Sequence, residues 1–313
     1  VSILARVPVL VLVASYAAGA SAHRVAITID DLPLGGGDPG PCTLAFVRPL
    51  TAKLLRPFAE QKIPLIGFVN EGRCPEISRS GLREILDMWL DAGADLGNHT
   101  YSHPDLNSTP VEQFEADILR GEPVVREALA HRGRTLRYFR HPYLRTGLDS
   151  ETKRAIDDFL AAHGYLIAPV TLDNSDYMFA AVYADALRRH DDTLAEKVKA
   201  AYVPYMDSIF AFFEARGREV AGHDVAQTLL IHAHQLNADS MPALLQMMRS
   251  RGYEFVTLDR ALEDDAYRLP DHYAGPGGFS WIHRWSITKQ MKPKGEPDEP
   301  SFVTEAYRKL RAH

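Results

Sequence analysis

From residue 24 onward, short runs rich in apolar and β-branched residues alternate with longer stretches whose apolar positions recur at helical spacing. The runs 24–30, 64–70, 94–98, 136–140, 165–170, 228–232 and 253–258 read as strands. Several are almost continuously apolar, as strands covered on both faces are. Between them the spacing predicts helices over 44–60, 80–92, 110–132, 150–163 and 240–251. Thr109, Pro110 and Glu112 read as the cap, first position and capping-box partner of the helix at 110. Gly93, Gly133, Gly164 and Gly252 read as helix stops set just ahead of the next strand. A βα unit repeated about seven times implies an α/β fold on a mostly parallel sheet, open or closed into a barrel.

One interval breaks the rhythm. Some 57 residues separate the fifth and sixth runs, with a helical stretch around 194–216 rich in Ala, Phe and Tyr. Nothing linker-like flanks this stretch, so it reads as an elaboration of one domain over 23–270. Residues 271–313 begin Gly/Pro-rich, continue with Trp281 and Trp285 and end charged. They read as a C-terminal extension wrapped on the domain, its last turns partly mobile. The two tryptophans read as packing residues rather than sugar-stacking ones.

Residues 1–22 stand apart from the fold. Arg6, the apolar run 7–18 and Ala20-Ser21-Ala22 have the order of a secretory signal peptide with its cleavage site. The run is short for a membrane span, so no stable insertion is expected once it is removed. The expected location is periplasmic or secreted. In an oxidising compartment Cys42 and Cys74 can pair, closing a loop of about 32 residues worth roughly 3–4 kcal/mol; two free thiols are the other reading. The chain's formal charge of −6 is spread along it with no basic stripe, which argues against nucleic acid as a partner.

Chemistry collects at the predicted strand ends: Asp30-Asp31 after the first, His99 and His103 after the third, Arg140-His141-Pro142-Tyr143 after the fourth. Asp173-Asn174-Ser175-Asp176-Tyr177 follows the fifth, and Ile231-His232-Ala233-His234 closes the sixth. Successive parallel strands bring their C-terminal ends to one face, where barrels of this kind place active sites. An H-x-x-x-H pair is weak on its own in a chain with 13 histidines. Its imidazoles can share an ion if the intervening residues make a helical turn, and a nearby carboxylate would complete a catalytic donor set. Two adjacent aspartates ending an apolar strand need neutralising, a metal for one and an arginine for the other. Strand alternation also points the two differently, suiting metal binding by Asp31 and base chemistry by Asp30.

In this order the motifs resemble those of the polysaccharide deacetylases of the NodB homology type, carbohydrate esterase family four, over about residues 24–260. The resemblance implies a distorted (β/α)7 barrel and one divalent ion, Zn²⁺ first, with Co²⁺, Ni²⁺ or Mn²⁺ as alternatives, held by Asp31, His99 and His103. It implies Asp30 as catalytic base, Arg140 as its support and a Tyr143 backbone N–H for the oxyanion. It implies Asp176 orienting His232 as general acid; His234 is the rival for that last role. The implied partner is an acetylated glycan, chitin-type or peptidoglycan, losing N-acetyl or O-acetyl groups. Two departures concern the substrate: Leu32-Pro33 and a Gly-rich loop replace the usual Gly-Pro after the aspartates, and Tyr177 stands where the family has tryptophan. The same machinery on a cyclic imide or ureide, and a non-catalytic carbohydrate-binding protein, are the rival readings.

Overall fold

A computed structural model describes residues 23–35, 37 and 40–312. The expected signal peptide over 1–22 lies outside the described residues. The chain runs β1 (His23–Leu32), α1 (Leu44–Gln61), β2 (Leu65–Val69), α2 (Arg79–Asp91), β3 (Asp95–Asn98), α3 (Val111–Arg120), α4 (Pro123–Ala130) and β4 (Tyr138–Phe139). It continues with α5 (Ser150–Ala162), β5 (Leu166–Ile167), α6 (Asp176–Arg188), α7 (Asp192–Ala221), β6 (Gln227–His232), α8 (Gln235–Ser250) and β7 (Tyr253–Phe255). Three helices follow: α9 (Leu258–Leu262), α10 (Trp281–Thr288) and α11 (Ser301–Arg311).

Every strand pairing is parallel, in the order β5-β4-β3-β2-β1-β6, with β7 against the start of β1. Beyond β5 the chain crosses to β6, where Leu172 bridges Leu229 and its N–H donates to Thr228 O at 3.0 Å. The two ends of the strand order therefore meet, and the sheet curls into a distorted barrel of the expected class. In β1, Val25, Ile27 and Ile29 join the large core beneath the helices, whereas Ala26 joins a smaller cluster with Phe68, Tyr138 and Ala168. That period of two gives the sheet an outer face packed by helices and an inner face with a smaller apolar cluster of its own.

Local chemistry sets most boundaries. Gly93, Gly133, Gly164 and Gly252 follow their helices at φ of 87°, 66°, 76° and 82°, a left-handed conformation that costs glycine little. The helix at 110 differs from its sequence reading. Pro110, not Thr109, is the cap, its carbonyl accepting from Gln113 N and Phe114 N at 3.0 Å, and no side chain caps the end. The single expected helix is two, because Pro123 has no N–H to continue the ladder and Gly121 packs against the Thr100 backbone. α8 starts earlier than its periodicity suggested, since the His234 ring caps it by accepting from Asn237 N at 3.0 Å. The interval between β5 and β6 folds as α6 and α7, packed on α8. Trp281 and Trp285 are both buried and act as packing residues. No helix among the described residues is long and apolar enough to cross a membrane.

Cys42 and Cys74 form a disulfide, Cα atoms 5.0 Å apart and 32 residues apart in sequence. It ties the loop after β1 to the loop after β2, the two loops that border the cavity described next. Loop-closure entropy assigns it about 3–4 kcal/mol. Reduction, or Cys42→Ser with Cys74→Ser, should lower the unfolding free energy by that amount in urea titrations. An unchanged midpoint would show that the loops are held without the bond.

Candidate active site and metal-ligand cluster

The C-terminal ends of β1, β3, β4 and β6 open into a cavity of about 620 Å³. Asp30 pairs in register with His232 on the adjacent strand, which brings the first and last strand-end motifs side by side. Asp31 does not follow the strand. Its φ of 62° is left-handed, and the β1–β2 register shifts between Ile29 and Leu32. The expected divergence of the two carboxylates therefore fails: the turn at Asp31 swings it into the cavity that Asp30 also lines. Gly35 completes the turn, passing so close that a Cβ there would sit 1.9 Å from Asp31 Cβ. Arg73, beside the disulfide, places Nη2 3.5 Å from Asp31 Oδ2 while its Nε donates to Leu34 O at 3.0 Å.

His99 and His103 converge without the helical turn that the sequence reading invoked. Thr100 and His103 are left-handed, at φ 69° and 57°. Asp117 of α3 holds the loop, its Oδ2 accepting from Tyr101 N at 3.0 Å and Ser102 N at 2.9 Å. Non-glycine residues at positive φ cost of order 1–3 kcal/mol each, and here Asp31, Thr100, His103 and Tyr143 gather around one cavity. His99 Nε2 lies 3.7 Å and His103 Nε2 3.5 Å from Asp31 Oδ1. One donor atom from each of the three lies within 4.8 Å of the others.

This trio fits a divalent ion. Donors about 2.0–2.2 Å from one four-coordinate ion lie roughly 3.3–3.6 Å from each other, close to the two separations seen. His99 Nδ1 donates to Arg140 O at 2.8 Å, which fixes its tautomer and leaves the Nε2 lone pair facing the cavity. Burial holds both histidines below the ordinary histidine pKa, so their rings are neutral donors. Burial pushes Asp31 up, but the charges around it, the Arg73 guanidinium and the protonated His232 ring among them, outweigh it and keep the group ionised.

Two charge pairs flank the trio. Asp30 is buried, and its oxygens lie 3.2 and 3.3 Å from Arg140 Nη1. Burial raises its pKa to about 6 despite the opposing Arg140 guanidinium. Arg140, itself buried, also donates from Nη2 to Thr28 Oγ1 at 3.0 Å and from Nε to Ala168 O at 2.8 Å. On the other side, His232 Nδ1 and Asp176 Oδ1 are 2.7 Å apart. Asp176 is the first residue of α6, where the helix dipole favours an anion, and its Oδ2 accepts from His232 N at 2.8 Å. Burial lowers the His232 pKa, but Asp176 overrides it and lifts the ring to about 9. His234 is fully buried behind the pair: its Nδ1 accepts from Asn237 N, so Nε2 carries the proton and donates to Asp176 Oδ2 at 3.0 Å. His232 lines the cavity and His234 does not.

Tyr143, at φ 55°, is largely exposed, with its ring 4.4 Å from the His103 ring between centroids. Every residue singled out from the sequence thus lines the cavity or supports one that does. Sequence reasoning missed Arg73, Asp117 and Asn237; it named His141 without a role, and the ring is buried at the wall with no hydrogen-bond partner among the described residues for either nitrogen. Only the order Arg73-Cys74 offered a signal, since a cysteine that pairs also fixes its neighbour.

Residues 18–164 match the family model described as polysaccharide deacetylase. The chain is similar to a chitin deacetylase of Colletotrichum lindemuthianum, 25% identical over 240 residues that cover 77% of this chain and 79% of the relative. The solved structure of the chitin deacetylase from that fungal pathogen matches with a TM-score of 0.52 and 22% identity, over 78% of this chain and 88% of that one. A family-four pseudoenzyme from Bacillus anthracis gives a TM-score of 0.47 at 14% identity, over 77% of this chain and 66% of that one.

The buried Asp30–Arg140 pair makes a sharp test of the site's architecture. Removing one partner of such a pair leaves an uncompensated buried charge and costs about 3–5 kcal/mol. Arg140→Met should destabilise by that order, and adding Asp30→Asn should recover a large part of the loss. Equal stability of the single and double variants in urea titrations would contradict the pairing.

Proposed function

We propose that this chain, a member of the polysaccharide deacetylase family, is an exported metal-dependent hydrolase that removes N-acetyl groups from a glycan of the chitin or peptidoglycan type. The observation that carries the reading is the convergence, in one cavity, of Asp31 with His99 and His103, between the Asp30–Arg140 and Asp176–His232 pairs. An acid, a base and a neutral two-histidine, one-carboxylate donor set are the components that metal-assisted amide hydrolysis needs.

Asp31 Oδ1, His99 Nε2 and His103 Nε2 would hold the ion, with Zn²⁺ the best match to a nitrogen-rich donor set. Such an ion supplies Lewis acidity, acidifying a water and polarising a carbonyl set beside it. Asp30, with a pKa near 6, is ionised at neutral pH yet basic enough to take a proton from the attacking water. Arg140 keeps its carboxylate oriented through Nη1. As the water oxygen bonds to the acetyl carbon, the carbonyl oxygen gains charge, and the Tyr143 backbone N–H is the donor offered to it. The C–N bond then breaks, acetate leaves, and the amine nitrogen takes its proton from His232 Nε2. His232 can give it because Asp176 holds Nδ1 and keeps the ring protonated. Amines leave poorly without such help, which is typically worth about 10²–10⁴ in rate.

Export fits the disulfide, since such bonds persist in oxidising compartments. It also brings the enzyme to an envelope or extracellular polymer.

Substituting His99 or His103 with Ala should abolish both bound metal and acetate release. Asp30→Asn should retain the ion and lose turnover by at least about 10²-fold. Metal analysis beside an acetate assay on chito-oligosaccharides checks both; activity that survives chelation would remove the metal from the mechanism.

The pH profile follows from His232. Its folded pKa is raised, so the acid form is present at pH 7 and activity should fall as pH rises towards about 9. Asp176→Asn removes the group that raises it, so this alkaline limb should move down in kcat/KM profiles. A limb that stays in place would assign the acid elsewhere.

A further inference from the structure

The cavity is larger than an acetamido group requires, and its far wall does not come from the strand ends. Glu296, Tyr307 and Arg311 line it, all from the chain beyond residue 270. This segment touches the rim at two places. At the first, Asn107 Nδ2 donates to Pro276 O at 3.0 Å, and Gly278 presses on Tyr143 so closely that a Cβ would meet its carbonyl oxygen at 1.7 Å. At the second, α11 packs along α6, the helix that opens with Asp176 and Tyr177. Tyr177 and Tyr307 meet edge to face, with centroids 5.8 Å apart and planes at 77°.

The wall is anchored rather than draped. Val303 is fully buried, and Glu296 Oε1 lies 3.0 Å from His283 Nε2 of α10. Lys197 Nζ of α7 sits 4.1 Å above the Phe302 ring. Against this fixed frame Tyr177 stays 38% exposed, and Tyr307 is only partly buried. A buried pair of tyrosines would be core; a partly exposed pair lining a cavity beside hydrolytic residues is a recognition surface. A pyranose ring offers an apolar C–H face and a belt of hydroxyls. The tyrosine rings suit the first, and a carboxylate acceptor with a guanidinium donor suits the second.

Resting on the deacetylase reading, we propose that residues 276–311 build a second sugar subsite beside the reaction centre. Tyr307 with Tyr177 forms its platform, and Glu296 and Arg311 bond sugar hydroxyls. The ligand is the glycan residue next to the one that loses its acetyl group. The protein therefore prefers oligomers to single acetylated sugars, and the C-terminal segment supplies that preference.

The test compares kcat/KM for acetate release from N-acetylglucosamine and from its β-1,4-linked tetramer, with metal content and thermal unfolding measured alongside. The wild-type ratio of tetramer to monomer should exceed tenfold. In Tyr307→Ala the ratio should drop about tenfold, mainly through KM, as expected for loss of one anchoring aromatic. Tyr307→Phe keeps the ring and should restore the ratio. Arg311→Ala, at an exposed position where folding is not at stake, should lower it in the same direction. A ratio unchanged within about twofold in Tyr307→Ala or Arg311→Ala, with wild-type protein active, overturns the subsite alone. Wild-type protein that releases acetate from neither sugar overturns the deacetylase reading and this inference with it.

Discussion

A single buried arginine organises the centre of this protein. Arg140 leaves the end of β4 and runs into the inner face of the curled sheet, where it has no exposed surface. An isolated charge there would be prohibitively desolvated, so the surroundings must satisfy it. Asp30, Thr28 Oγ1 and Ala168 O take its donors, and its guanidinium lies 4.6 Å over the Phe68 ring. Its own carbonyl accepts from His99 Nδ1. The residue that favours the ionised form of Asp30 thus also fixes the tautomer of His99. Geometry at the base and geometry at the metal trio cannot vary independently, because both are fastened to one side chain and its peptide.

The strain at the site follows from the same economy of space. Parallel strands deliver side chains to one end, but alternation sends consecutive residues to opposite faces. To bring both Asp30 and Asp31 into the cavity, the chain must leave strand geometry at the second, hence the left-handed Asp31 and the glycine that clears it. His99 and His103 face a similar problem and solve it with two left-handed residues and the carboxylate of Asp117. The surrounding hydrogen bonds and the disulfide hold these conformations in place. The stability of the rest of the domain is spent on geometry that local preference would refuse.

Much of this was legible in the sequence, and the rest was not, for physical reasons that differ from place to place. Several of the strands were readable because parallel strands covered on both faces are almost continuously apolar. The glycine stops were readable because left-handed φ selects that residue. The strand-end clusters were readable because fold topology alone sends them to one face. What failed depended on contacts distant in sequence. Nothing in the pattern around 110 shows that Gly121 must pass against Thr100, which divides the helix. Nothing near Asp31 announces its left-handed turn. His232 and His234 are two residues apart with similar neighbours; only the depth of each in the fold shows that one faces the cavity and the other holds Asp176 from behind. The α6 and α7 interval was hard to read because its apolar residues face several partners at once, blurring any single stripe.

The division between reaction and selection also has a structural logic. On the proposed reading, the groups that handle protons and the ion sit at strand ends, in the tight turns just beyond them and at the first residue of α6. Tyr307, Glu296 and Arg311 belong to a later segment that is joined to the barrel by packing against α6 and α7 and by the Trp281 N–H donating to Val170 O. On the proposed reading, such a wall can be fitted to a particular glycan while the strand-end groups stay fixed. That separation explains how a domain whose motifs follow a widespread pattern can end in a segment with chemistry of its own. Tyr177 is where the two parts meet: it follows Asp176 directly, so the helix whose first residue holds His232 also presents the aromatic edge against which Tyr307 packs.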